Sequence, residues 1–305
     1  MKSRSLLLYS LCVVNVLLAA CSSLRGTSAY HAPVRELILG GDDKVMIIDL
    51  NKSTETQKSI TWEIKTVDIK GLPSDYFPLM RTVDDHKSVD RNRKLLICSS
   101  SGAAVLVDRK TRTALFYAKV PAAHSVDYLP GKRIAVALST GNGGNRLSIY
   151  DEALSDQPLF SDSLYSGHGV VWNRSQKRLY ALGYDELRAY SLSDWKSDRP
   201  KLKLEQRWKL PETGGHELFA SSDDTFLIST SRSVWRFRIS DGSFAPFEPI
   251  ANVPDVKSVY YNEKSRQLIY TKAEISWWTH NVYMENPEKV IRVPEMDLYK
   301  VRTVK

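Results

Sequence analysis

The sequence is poor in the residues that build most exported and catalytic frameworks. It holds three cysteines in 305 residues. Cys12 lies in an apolar N-terminal run and Cys21 directly follows it, so Cys98 alone remains for the folded part. One cysteine cannot close an internal disulfide, which excludes a disulfide-stapled domain. Cys98 ends the run Leu95-Leu96-Ile97-Cys98 and is expected as a small buried hydrophobe rather than a catalytic thiol. Cys-x-x-Cys, His-Glu-x-x-His and Gly-x-Ser-x-Gly are all absent. Thr140-Gly-Asn-Gly-Gly144 is glycine-rich but opens no helix, so it reads as a turn and not a phosphate loop. The apolar run Leu6 to Ala20 falls short of the ~20 residues a spanning helix needs. Histidine is scarce, six in all, and its placement carries most of the functional signal.

The N-terminal segment has the form of an export leader. Lys2 and Arg4 precede Leu6 to Ala20, and the run ends Leu17-Leu18-Ala19-Ala20-Cys21. Small residues followed by cysteine resemble the lipobox of bacterial lipoproteins. The resemblance implies a signal peptide over residues 1–20, cleavage before Cys21, and a diacylglycerol on the Cys21 sulfur. More than one acyl chain anchors stably, at about 0.8 kcal/mol per buried methylene. Residues 21–33 then form a lipidated tether. No acidic run follows Cys21, unlike many surface-displayed lipoproteins of Bacteroidetes. The implied localisation is the bacterial outer membrane, facing the periplasm.

Beyond the tether the chain repeats itself. Units open at His86, His124, His168, His216, Lys257 and Lys300, spaced 38 to 48 residues apart. Each continues with a polar turn, such as Asn173 to Gln176, which breaks and reverses a strand. A near-continuous apolar run follows, such as Arg133-Ile-Ala-Val-Ala-Leu138, of the kind buried on both faces. The third strand alternates, as in Ser233-Val-Trp-Arg-Phe-Arg-Ile239, and the fourth is variable. A four-stranded unit at this period is the signature of a propeller blade. The first unit lacks an opening strand, and Asp297 to Lys305 supplies a spare one. The spacing therefore predicts an all-β fold: a six-bladed β-propeller of four-stranded antiparallel blades over residues 34–305, closed by the C-terminal strand. A seventh blade would need Val67 to Thr82, where Gly71, Pro73 and Pro78 favour a connecting loop.

Opening strands line the axis of a propeller. His86, His124, His168, His216, Lys257 and Lys300 are thereby expected to ring an axial funnel. Three readings follow. The histidines hold a divalent metal, Mn or Zn, since neutral imidazole suits these ions, with Asp84, Asp85 and Glu217 as outer partners. Or the ring binds a carboxylated sugar or other anion through its lysines and partly protonated histidines. Or the histidines are structural and fix blade packing. Under a lyase reading, His168 with Tyr165 or His124 with Tyr128 would share base and acid duties.

Lipobox, repeat and His-opened units together resemble Bacteroidetes-type β-propeller lipoproteins, and more weakly the oligogalacturonide-lyase-like propellers. Those place histidines, some of them metal-binding, around the funnel. The resemblance implies a membrane-anchored propeller binding a carbohydrate or anionic small molecule in glycan handling. A metal-assisted lyase or hydrolase of uronic-acid oligosaccharides and a protein-interaction platform are the alternatives. The basic residues are dispersed along the sequence, which argues against nucleic acid as a partner. A monomer is expected. Most of the seven tryptophans are expected between blades; of Trp277-Trp278, adjacent and so facing opposite ways, one is expected on a surface.

Overall fold

The computed structural model describes residues 34–304. The expected signal segment 1–20, the expected acylation site Cys21 and the expected tether 21–33 lie outside the described residues. The described chain forms six four-stranded antiparallel sheets arranged as a six-bladed β-propeller. The second blade, for example, runs Val83–Val89, Lys94–Ser99, Ala103–Asp108 and Ala114–Lys119 from axis to rim. The other opening strands are Ala123–Leu129, Gly169–Asn173, Glu217–Ala220, Val256–Tyr261 and Leu298–Thr303. That last strand pairs with Glu36–Gly41 and supplies the axial strand of the first blade, so the two ends of the described chain share one sheet.

The apolar second strands explain the stacking. Arg133–Leu138 is buried at every position, so its two faces must each meet an apolar neighbour. Six separate apolar clusters result, one at each junction between adjacent blades. Each fully buried Leu, Ile or Val in them contributes roughly 1.5–3 kcal/mol relative to exposure. Outer strands bury little, as Lys201–Lys209 shows. Cys98 is buried in the cluster between the second and third blades. The stretch expected as a connecting loop holds two short 3-10 turns, Thr66–Asp68 and Ser74–Met80. They carry Ile69, Leu72, Tyr76 and Met80 into the first junction and add no blade.

Candidate functional site

Four of the six opening strands carry a local irregularity that helps set the site. A bulge interrupts the ladder at Asp84, at His124 and at Lys257, and another lies between Leu298 and Val301. A bulged residue is released from pairing and re-aimed. Aligned on this device, and on His168 and His216, whose amides meet the Leu182 and Ser229 carbonyls just before their ladders begin, the axial ring reads Asp84, His124, His168, His216, Lys257 and Tyr299. Four of the six residues expected from the sequence are therefore in the ring.

His86 and Lys300 are not. His86 lies two positions beyond the bulge, at the step occupied elsewhere by Val126, Val170 and Leu218. It is wholly buried between blades. Its Nε2 donates to the Ile38 carbonyl at 2.9 Å. Its Nδ1 has no hydrogen-bond partner. Burial lowers its pKa to about 4, so it is a neutral packing group. Lys300 lies one step below the ring. Its Nζ donates to the carbonyls of His168 and His216, each at 2.9 Å, and pairs with Glu217 at 3.2 Å. Its charge is spent on the floor.

His124, His168 and His216 are built alike. The residue two positions earlier is left-handed in each case, with φ of 51° at Ala122, 49° at Ser166 and 78° at Gly214. That conformation costs a non-glycine residue roughly 1–2 kcal/mol. It turns a carbonyl onto the imidazole: Nδ1 lies 2.9 Å from Ala122 O, 2.9 Å from Ser166 O and 2.6 Å from Gly214 O. A carbonyl only accepts, so Nδ1 carries a proton in each, and in a neutral imidazole the Nε2 lone pair is then left free. Ring centroids are 4.5 Å apart for His124 and His168, and 5.0 Å for His168 and His216. Burial, with neighbouring His124 and His216, pushes His168 well below its usual pKa. Burial and Lys257 push His216 down to about 3. These two are neutral at neutral pH.

Lys257 is fully buried. Its Nζ makes no hydrogen bond among the described residues, lies 3.6 Å from Asp255 Oδ1, and sits 5.4 Å from the Trp277 ring centroid and 6.0 Å from that of Tyr299. Burial lowers its pKa. Asp84 accepts from the Ser100 amide, and its burial raises its pKa.

Above the ring opens a mouth of about 520 Å3. Ser100, Ser139, Thr140, Ser166 and Ser231 line it, and Tyr165, Tyr184 and Trp277 rim it. Trp277 is 60% exposed and Tyr165 58%. Trp277 is thus the member of the tryptophan pair that faces out. Tyr128, proposed from sequence to work with His124, instead bonds Glu152 on the other face.

Below the ring the axis is plugged. Arg302 donates to Asp85 at 2.7 Å and to Glu217 at 2.6 and 3.2 Å. Ser125 Oγ donates to Asp85 at 2.8 Å. Lys87 Nζ donates to the Val170 carbonyl at 2.7 Å and lies 3.7 Å from Asp127. Three cations and three carboxylates thus fill the channel. Asp85 and Glu217 serve this plug rather than the imidazoles. Arg302 was missed in the sequence; the visible signal was its place two residues after Lys300, in step with Lys87 and Asp127.

The imidazoles were weighed as metal ligands. Their Nδ1-to-carbonyl bonds are of the kind that orient ligating histidines. Yet among the described residues no group of three or more His, Cys, Asp or Glu is placed to hold a metal ion, and His86 faces away. The donor set does not fit Mn or Zn as arranged. A family described as a "family of unknown function (DUF6528)" matches residues 2–305. No curated protein matches the chain.

Proposed function

As the chain belongs to this DUF6528 family, whose description assigns no activity, we propose from the site itself that the axial mouth binds a carbohydrate, and a neutral one. The observation that carries this reading is the repeated strained turn that fixes Nε2 lone pairs on His124, His168 and His216 beneath an exposed aromatic rim. A lone pair needs a donor. Sugar hydroxyls donate, whereas an ionised carboxylate or phosphate has no proton to give. Apolar sugar faces stack on rings such as Trp277 and Tyr165, where one end is apolar and the other wet. The serine and threonine hydroxyls both donate and accept, which suits a polyol. Anchoring through Cys21, at the outer membrane, would place such a binder in glycan handling.

The test is calorimetric titration of the parent and of Trp277→Ala with neutral xylo-, cello- and malto-oligosaccharides, followed by recovery of the sugar. Saturable binding, an affinity at least tenfold weaker in Trp277→Ala with unchanged melting, and sugar recovered intact support the binder. Shortened sugar would make the mouth catalytic. No binding to any member would sink the reading.

A further inference from the structure

The face opposite the mouth carries a second concavity, of about 1010 Å3, between the second, third and fourth blades. Its walls are the turns that follow the opening strands, Asp90–Arg93, Pro130–Lys132 and Arg174–Lys177, with Arg178 at the start of the next strand. Six Arg or Lys line it against one carboxylate, Asp90. Asp90 is already engaged by Arg93 at 2.7 Å and Lys94 at 3.6 Å. Among the described residues Arg91, Lys132, Arg174, Lys177 and Arg178 make no ion pair, and all but Arg178 are exposed. The sequence shows these cations dispersed, and the fold gathers them.

Two further features mark the groove as built. Asp90, Arg91 and Asn92 are three consecutive left-handed residues, with φ of 50°, 56° and 64°, a conformation that side chains with a Cβ rarely adopt. The turn is held by Ser88 Oγ on Asn92 Oδ1 at 2.8 Å and Arg109 Nη1 on the Asn92 carbonyl at 3.0 Å. Lys132 and Lys177 are left-handed too. The floor holds Trp172 and Trp195. Trp195 is fixed in place: Nε1 donates to the Pro130 carbonyl at 2.8 Å and Arg133 stacks 4.7 Å from its ring.

We infer that this groove binds an acidic polysaccharide strand bearing carboxylates or sulfates. Arginine forks match such groups bidentately, and a preset indole offers a stacking face between them. A flat bilayer cannot enter a concavity, so an anionic membrane fits the shape less well. Nucleic acid fits poorly with a chain whose leader reads as an export signal. The site is independent of the axial mouth, from which the charged plug separates it.

The test uses the full chain and a hexameric polyuronate, with its neutral methyl ester, vesicles of phosphatidylglycerol and a single-stranded oligodeoxynucleotide as comparisons. The polyuronate is expected to bind with an affinity that falls steeply with salt and the ester at least tenfold more weakly. Arg91→Glu/Arg174→Glu should abolish binding with melting unchanged, while Trp277→Ala leaves it intact. Equal binding of acid and ester, indifference to the double variant, or tighter binding to vesicles or oligonucleotide would each overturn the proposal. Loss of polyuronate binding in Trp277→Ala would assign it to the mouth instead.

Discussion

Arg302 spans the axis to clasp Glu217 with two hydrogen bonds, 2.6 and 3.2 Å long, while its Nε holds Asp85 at 2.7 Å. Burial opposes the charge on Arg302, but Asp85 and Glu217 outweigh it and raise its pKa. Burial would likewise raise the Asp85 carboxyl, but Arg302, Lys87 and Lys300 hold it well below the usual range. One guanidinium thus joins the first, second and fifth blades. Removing it leaves Asp85, 0% exposed, without an ion pair among the described residues and Glu217, also 0% exposed, with Lys300 alone. Arg302→Met should cost about 3–5 kcal/mol, the cost of breaking a buried pair from one side. Urea unfolding checks this, and Arg302→Met combined with Asp85→Asn and Glu217→Gln should recover a large part of the loss.

Gly40 and His86 form a second tight relationship. A Cβ on Gly40 would lie 2.4 Å from His86 Nδ1 and 2.9 Å from Val83 Cγ1. Gly40→Ala should destabilise by about 1–3 kcal/mol through overpacking. With His86→Ala the two effects should be non-additive, the double variant losing less than the sum. Strict additivity in denaturant melts would show that the ring of His86 moves aside freely.

Acid should weaken the fold through its histidines. His216 and His86 have folded pKa values lowered to about 3 and about 4, and His168 lies well below its usual value. Between those values and the unfolded ~6.5, the unfolded chain binds protons that the folded one refuses. Stability therefore rises with pH across this window, by up to about 1.4 kcal/mol per unit per group, and this contribution is constant above ~6.5. Asp84, with its raised pKa, acts in the opposite sense as pH rises from 3.8 towards its folded value. Melting temperatures from pH 7.5 to 4.5 should fall, and His168→Asn should flatten the slope. A flat profile in the parent would contradict the burial of these imidazoles.

Lys257 should be dispensable to stability. Its ammonium is buried without a hydrogen bond, and its ion-pair partner Asp255 is about half exposed. Replacing a buried charge by an apolar side chain of similar volume is often neutral or stabilising. Lys257→Met should shift unfolding free energy by less than about 1 kcal/mol, or raise it. A loss above about 2 kcal/mol would show that the ammonium holds the ring together.

The blades were legible because their second strands, such as Lys94–Ser99, are unbroken apolar runs between turn signals, and a period is visible without any structure. The ring was legible where a histidine opens the strand, at the bulge for His124 and just before the ladder for His168 and His216. It was misread at both ends of the register. Matching His86 to the other histidines aligned residue types, whereas the fold aligns the bulges, and Asp84 takes the bulge in that blade. Lys300 was chosen for its charge, while the bulged neighbour Tyr299 faces the mouth. A bulge adds one residue without changing the apolar pattern around it, so periodicity alone does not reveal which residue it frees. The basic groove was invisible for a different reason. Arg91, Lys132 and Arg174 sit in equivalent turns of three successive blades, some 40 residues apart, and only ring curvature brings them together.

The strand Leu298–Thr303 lies innermost in the first blade, yet the ribosome makes it after every other described strand. Until it arrives, Glu36–Gly41 has no axial partner, and Asp85 and Glu217 face an axis without Arg302. The ring therefore cannot close on a partly synthesised chain. Axial closure and the charged plug are thus set by one and the same strand, the last of the described strands to be made.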